Sequence, residues 1–124
     1  MRSKLEKARG VLRNLYNVEE KDIMTMESRQ ANKVDARKMY NYYLWKHLGI
    51  KHNQMKNYIE GMHHATSIYF KNKMEFELKH YEELKGEWIT FLYFIDSEQW
   101  RKLSSIQQAK QKYIIVFNTF NEVF

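Results

Sequence analysis

The chain has 124 residues, enough for one compact domain, or one domain with an appendage, and too few for a second catalytic domain. It contains no cysteine, which excludes disulfide frameworks, thiolate zinc sites and cysteine nucleophiles. Lysine and arginine outnumber aspartate and glutamate by 21 to 15, and the resulting net charge of +6 has the sign expected of a protein that meets phosphate backbones.

The low content of helix-breaking residues favours an all-α fold. Proline is absent and glycine occurs only 4 times, so no stretch resembles a flexible linker, a repeat or a low-complexity tract. The N-terminus is charged and amphipathic without the apolar core of a secretory leader. No stretch approaches the ~20 apolar residues of a membrane span. We therefore expect a cytoplasmic protein with no membrane partner.

Hydrophobic periodicity predicts three helical segments in the first half of the chain. The first covers about 4–16, and a short acidic segment at 18–25 predicts one or two further turns. The polar stretch 26–38 predicts a basic loop. A longer helix then begins near Ala36 and ends at Gly49, which is placed for a left-handed cap. The residues predicted to be buried in these helices are Leu5, Ala8, Leu12, Leu15, Met39, Tyr42 or Tyr43, Leu44 and Leu48.

A short helix, a glycine turn and a longer helix follow, which is the helix-turn-helix pattern. Asn53 is the predicted N-cap of the short helix, Gly61 supplies the turn, and the second helix begins at about His63. We expect that helix to continue to about Lys85 and to break at Gly86.

The last part of the chain is rich in aromatic residues. Apolar positions from Trp88 to Ile95 fit one helical stripe, although the run 88–95 has the length and β-propensity of a buried strand; we favour the helix. Asp96 or Ser97 would open a final helix. We therefore expect one domain over 1–86 and a helical extension over 87–124, which either packs back on that domain or pairs with a second copy as a homodimer.

Two segments point to a known family. The stretch "ARKMYNYYL" (36–44) stands where that family has "ARQIAMYL", and "MKNYIEGMHHATSI" (55–68) stands where it has "IGELFGGRDHSTVL". With this order of features, residues 5–84 resemble the C-terminal DNA-binding domain of DnaA, the bacterial chromosome replication initiator. The resemblance implies a helix-turn-helix domain of the DnaA/Trp-repressor-like type, here with a C-terminal helical extension.

The resemblance also implies a function and a set of contacts. The partner would be double-stranded DNA, in replication initiation or its regulation, or in transcription regulation, with nucleoid association and a possible contact to a replication protein. Arg29 matches the minor-groove arginine and Arg37 a phosphate-contacting arginine. His64 and Thr66 match the signature residues that the family uses at the major groove and the adjoining phosphates.

The chain departs from the family at several positions. Met62, His63 and Ala65 replace the arginine, the aspartate and the first hydroxyl residue of the signature, and Lys38 replaces a glutamine. A neutral histidine cannot accept a hydrogen bond from cytosine as aspartate does, so we expect a changed sequence preference. The chain has no GxxxxGK[ST] motif, so it would act without the ATPase domain.

Physical chemistry favours the same surface independently. A helix N-terminus attracts phosphate, and short side chains let it approach base edges, while the surrounding lysines would contact phosphates without sequence preference. The predicted DNA-binding residues are Arg29, Lys33, Arg37, Lys38, Lys56, His63, His64, Ala65, Thr66, Ser67 and Lys71.

Other functions remain open at this point. The fold could serve as a protein–protein interaction module that has lost specific DNA recognition. Tyrosines could instead stack on unpaired bases; the candidates are Tyr40, Tyr42, Tyr43 and Tyr58. Adjacent histidines point about 100° apart on a helix, so we expect no metal site. Ser67 has no strained glycine elbow around it, and we expect neither enzyme activity nor a cofactor.

Overall fold

A computed structural model describes residues 2–95 of the chain, and the predicted final helix after Asp96 or Ser97 lies outside these residues. The described part is all-helical and contains no strand, as predicted. None of its helices is both long and apolar enough to cross a membrane. The elements are α1 (Arg2–Tyr16), α2 (Glu20–Met24), α3 (Ala31–Lys46), a 3₁₀ helix (His52–Asn57), α4 (His64–His80) and α5 (Glu82–Ile95).

The first two helices follow the predicted pattern. Ala8 and Leu12 of α1 are fully buried, and the helix ends where Asn17 adopts a positive φ of 54°. The backbone N–H of Glu19 donates to the Asp22 carboxylate over 3.0 Å, which caps the start of α2. The short acidic segment is therefore a single locally stabilised helix, as expected.

Helix α3 begins earlier than predicted, at Ala31 rather than near Ala36. The prediction of a basic loop over 26–38 was wrong for its second half, because the polar residues of the first helical turn face solvent and do not oppose helix formation. Every residue from Ala36 to Leu44 is buried. Since α1, α2 and α4 all pack against it, α3 is the central helix and has no solvent-exposed face over this stretch. Gly49 follows with the predicted left-handed conformation, at φ 71°.

The break between α4 and α5 also differs from the prediction. It lies at Tyr81, whose extended backbone (φ −121°, ψ 110°) ends α4, while Gly86 is a buried residue inside α5. A helical glycine costs only about 1 kcal/mol, so packing can override it. The new direction of α5 brings Trp88 to 5.1 Å from the Tyr42 ring and Phe91 to 5.2 Å from the Tyr43 ring.

The helical assignment of 88–95 is confirmed. Trp88, Phe91, Leu92 and Ile95 are buried on one stripe of α5, and none of them belongs to a strand. Residues 87–95 therefore pack against the core helices without a break at the expected domain boundary. The remainder of the predicted extension, and its proposed role in dimerisation, lie outside the described residues.

Candidate nucleic-acid interface

The segment before α4 is a 3₁₀ helix and a glycine turn. The 3₁₀ helix begins at His52, after Lys51, which is two residues earlier than the predicted Asn53 cap would place it. Met55 and Ile59 are fully buried and hold the segment against the core. Gly61 has φ 84°, a conformation that other residues rarely adopt, so it sets the turn into α4.

This turn is bonded to the loop that follows α2. The backbone N–H of Met26 donates to the Glu60 carbonyl over 3.0 Å, and the N–H of Glu60 donates to the Met24 carbonyl over 2.7 Å. A Cβ atom at Gly61 would lie 3.4 Å from the Cβ of Met26, so the two segments are close-packed. The loop that carries Arg29 and the N-terminus of α4 are therefore held together by backbone bonds.

Three exposed residues surround the start of α4: His63, His64 and Ala65. His63 is the N-cap, and its Nδ1 accepts a hydrogen bond from the Ala65 backbone N–H over 3.2 Å. In this arrangement the ring proton is on Nε2, which remains a donor. The two histidine rings are 4.4 Å apart, and Thr66 behind them is half-buried.

Ser67, predicted to contact DNA, is fully buried instead. Its hydroxyl donates to Asn41 Oδ1 over 2.9 Å, and Asn41 Nδ2 donates to the Ser67 carbonyl over 3.2 Å. His52 Nδ1 lies 2.7 Å from the same hydroxyl oxygen. Because the Ser67 hydroxyl proton is directed at Asn41, the hydrogen bond with His52 must run the other way. His52 Nδ1 carries the ring proton and donates it to the Ser67 hydroxyl oxygen. Ser67 therefore joins α4 to α3 and to the 3₁₀ helix and is not available to DNA.

The His52 ring is also held by its neighbours. It stacks on Trp45 with a centroid separation of 5.5 Å and an interplanar angle of 14°. Lys71 Nζ lies 5.1 Å from the Trp45 ring centroid. Burial lowers the pKa of His52, and the positive charge of Lys71 lowers it further. The neutral form of this histidine is therefore favoured in the folded protein.

Arg37 does not lie on the predicted basic surface. It is 2% exposed, because its guanidinium points into the loop between α2 and α3. Nε donates to the Asp22 carbonyl and Nη2 to the Ser28 carbonyl, each over 2.9 Å. Burial lowers the pKa of Arg37, against the raising effect of Asp22. Arg37 therefore positions the loop that presents Arg29.

Lys38 is likewise removed from the predicted surface. Its side chain is 5% exposed, and Nζ lies 2.8 Å from a Glu77 carboxylate oxygen and 3.8 Å from an Asp35 oxygen. The prediction failed for the same reason as at Arg37: both residues fall in the stretch of α3 that neighbouring helices cover on all sides.

The remaining predicted cations are accessible to different extents. Arg29 and Lys56 are exposed. Lys33 is half-buried with Nζ 3.3 Å from Asp22, and Lys71 lies 3.6 Å from Glu75. The Lys71–Glu75 pair is partly exposed, so it is weak and can be exchanged for a phosphate contact, whereas the Lys33–Asp22 pair is largely covered.

The structure adds exposed lysines to this region. From Lys46 to Lys73 the sequence contains five lysines and a single carboxylate, Glu60. Lys51, immediately before the 3₁₀ helix, was missed because a lone lysine next to a glycine turn has no pattern of its own. We call the following exposed residues the basic tip: Arg29, Lys51, Lys56, His63, His64, Ala65 and Lys73.

The predicted stacking tyrosines are mostly internal. Tyr40, Tyr42 and Tyr43 are at most 2% exposed, and only Tyr58 is partly accessible. Three of the four rings therefore cannot stack on a base, and their spacing reflects the buried face of α3.

Comparison with known proteins yields no relative: no family model, no curated protein and no solved structure matches the chain. Within residues 2–95, no group of three or more histidine and carboxylate side chains is arranged to hold a metal ion. The candidate interface is therefore defined by its own geometry and charge.

Proposed function

We propose that the protein binds double-stranded DNA with a sequence preference through a DnaA-like helix-turn-helix, in replication initiation or its regulation, or in transcription regulation. The observation that supports this most directly is the basic tip. It combines the exposed N-terminus of α4 with exposed lysines and Arg29, and the exposed carboxylates next to it in the sequence are those of Glu27 and Glu60.

In this proposal the start of α4 enters the major groove. His64 and Ala65 are exposed and reach base edges, and the Thr66 methyl group is short enough to approach a thymine methyl. His63 presents Nε2–H as a donor, which suits the acceptors of guanine or adenine and not the amine of cytosine. The preferred site therefore differs from that of a protein with aspartate at this position.

The surrounding cations would bind the backbone. Lys51, Lys56 and Lys73 lie on either side of the α4 N-terminus along the chain, and each could neutralise a phosphate. Arg29 would enter the minor groove from the loop that Arg37 and the Glu60 backbone hold in place. Arg37 thus acts on DNA binding through the position of this loop.

Selection from a random duplex library tests the proposal, because it reports whether a sequence motif is enriched and whether the motif is palindromic. We expect enrichment of one motif, and a loss of affinity for it in Arg29→Ala and His64→Ala. Lys85→Ala is the matched control, since it removes one positive charge from α5, away from the tip. The proposal fails if no motif is enriched and the two tip variants bind as the control does.

A protein–protein interaction module is the second candidate. Its support is a row of exposed aromatic side chains on α4: Tyr69 is 58% exposed and Phe76 56% exposed. If duplex affinity is absent at moderate salt while substitution of Phe76 by alanine removes binding to an isolated protein partner, this second function replaces the first.

A further inference from the structure

His52 lies where the 3₁₀ helix meets α3 and α4, beside the basic tip. Its ring stacks on Trp45 of α3, and its Nδ1 donates to the Ser67 hydroxyl of α4 over 2.7 Å. These contacts fix both the position of the ring and its tautomer. In the neutral form Nδ1 carries the ring proton, so a second proton would enter at Nε2.

The cationic groups around His52 come from two elements. Those of its own segment are Lys51, immediately before it, and Lys56, four residues after it, and both are exposed. From α4, Lys71 places Nζ 5.1 Å from the centroid of the Trp45 ring on which His52 stacks. Burial lowers the pKa of His52 and the charge of Lys71 lowers it further, and no carboxylate of the described residues opposes this effect.

Other charged side chains of the neighbouring helices have partners of their own. In α3, Lys46 Nζ donates to the Tyr42 hydroxyl over 3.2 Å. In α4, a Glu75 carboxylate oxygen lies 3.6 Å from Lys71 Nζ, in a partly exposed pair that a phosphate can replace. Lys71 is therefore the charge that would link His52 to a bound phosphate backbone.

We propose that duplex binding at the basic tip is coupled to protonation of His52, which is neutral in the free protein and cationic in the DNA-bound protein. This coupling rests on the proposed function and adds to it a dependence on pH. A phosphate beside Lys71 would offset the positive charge that keeps His52 neutral, and would itself attract the imidazolium ion. The bound state then has the higher pKa, the complex takes up a proton as it forms, and affinity increases as the pH falls.

Protonation leaves the internal bonds of the tip intact. Nδ1 of His52 donates to Ser67 in both the neutral and the charged form, so the bonds that join Ser67 to Asn41 and to His52 persist. The ordinary pKa of histidine is about 6.5, so the change occurs near neutral pH. The pH therefore alters the charge of the interface while α4 keeps its position.

NMR titration of the histidine rings measures the coupling at each ring separately. The probe is a duplex of mixed sequence, about 20 base pairs long, at low salt, because backbone contacts need no preferred site. We expect the pKa of His52 to be higher in the complex than in the free protein. His80, at the other end of α4, is the internal reference and should titrate alike in both states.

Two lysine variants test the role of Lys71 without DNA. Lys71→Gln should raise the pKa of His52 in the free protein, because the opposing charge is gone. Lys73→Gln is the matched control. It removes the same charge from an exposed lysine whose Nζ lies 5.8 Å from the Tyr69 ring centroid, and it should leave the pKa of His52 unchanged. The proposal is overturned if Lys71→Gln leaves that pKa unchanged as well.

Affinity measurements provide an independent readout. Between about pH 6 and about pH 7.5, one linked proton can change the affinity by at most about tenfold per pH unit. His63 and His64 are exposed at the tip and can also take up protons, so the wild type is compared with His52→Gln, whose amide can still donate to Ser67. We expect the wild-type affinity to fall several-fold more over this range than that of the variant.

The two levels of the proposal fail separately. Urea unfolding first establishes that His52→Gln is folded over the pH range used. If the duplex binds but the pKa of His52 is the same in both states, or if both proteins have the same pH profile, the coupling is overturned and DNA binding stands. If no duplex binds at low salt, the proposed function fails and the coupling fails with it.

Discussion

The two ends of α4 carry opposite charge. The basic tip surrounds its start, whereas carboxylates of α3, α4 and α5 line a cleft at its end; they are those of Asp35, Glu77, Glu82, Glu83 and Glu87. At the tip the cationic side chains are exposed, and Glu60 is the one carboxylate between Lys46 and Lys73 in the sequence. At the cleft, Lys38 is buried and paired with Glu77, while Glu82 and Glu83 are exposed. Glu82 and Glu83 also fall in the first turn of α5, where the positive end of the helix dipole stabilises them. The position of a charge relative to the core, more than its sign, therefore decides whether it can bind a partner.

Arg29 and Arg37 illustrate this within one short stretch of chain. Both were predicted to contact DNA, and they are eight residues apart. One is exposed on a loop, and the other is 2% exposed beneath the same loop. Substitutions at such pairs should therefore separate buried from exposed residues, with the largest effects on stability at the buried ones.

Arg37→Ala should lower the free energy of unfolding by about 3 kcal/mol, because the carbonyls of Asp22 and Ser28 lose charge-assisted hydrogen bonds and a buried side chain is removed. Arg29→Ala should change it by less than about 0.5 kcal/mol, as expected for an exposed residue. Urea unfolding of both variants measures the difference. Equal effects would contradict the distinction between the two arginines.

Ser67→Ala should cost about 2 kcal/mol of stability, since Asn41 and His52 lose their shared partner inside the core. Ala65→Ser, two residues earlier and exposed, serves as the comparison and should leave unfolding within about 0.5 kcal/mol of the wild type. A small effect of Ser67→Ala in thermal or urea unfolding would show that the buried network is not needed.

The two ends of α4 should respond oppositely to acid. The lowered pKa of His52 means that the unfolded chain binds more protons, so the contribution of His52 to stability falls as the pH drops below about 6.5. The raised pKa of Glu87 means that the folded chain takes up a proton first, so its contribution rises as the pH falls towards 4.5.

Unfolding midpoints of the wild type, His52→Gln and Glu87→Gln between pH 7.5 and 4.5 separate these contributions. His52→Gln should show a smaller loss than the wild type as the pH falls below about 6.5, and Glu87→Gln a larger loss as the pH falls towards 4.5. Identical profiles for the three proteins would contradict the assignment.

The smallest effect concerns single phosphate contacts. Lys56→Ala should reduce the slope of log affinity against log salt by about 1 for any duplex, without changing which sequence is preferred. Lys85→Ala should leave the slope unchanged. A changed sequence preference in Lys56→Ala would mean that this lysine contacts bases.

Several features of the fold follow from local sequence. The apolar stripes of α1 and α5, the left-handed cap at Gly49 and the turn at Gly61 were predicted, because periodicity and turn formation are properties of short segments. The start of α3 and the break at Tyr81 were not predicted. Whether a polar first turn joins a helix, and whether a glycine interrupts one, depends on the segments that pack beside it.

The residues of the candidate site show the same distinction between what a local pattern predicts and what tertiary packing decides. The exposed start of α4 was predicted from a helix-turn-helix pattern, whereas Arg37, Lys38 and Ser67 were placed on its surface and are buried. For Ser67 a signal was present, since it aligns with a valine of the DnaA signature. Nothing comparable marks Arg37, because an arginine is normally exposed unless its guanidinium finds internal acceptors.

The sequence by itself determined the helical class, the glycine turns and the positive character of the region between Lys46 and Lys73, because each depends on residue type and spacing within one segment. Only the tertiary structure decided which charges remain on the surface. Helices α1, α2 and α4 and the 3₁₀ helix pack against α3. Because its middle is buried, Arg37 and Lys38, which were predicted to contact DNA, bind internal partners instead. A charged group can be buried only where distant segments supply its partners, and those partners are not visible in the local sequence.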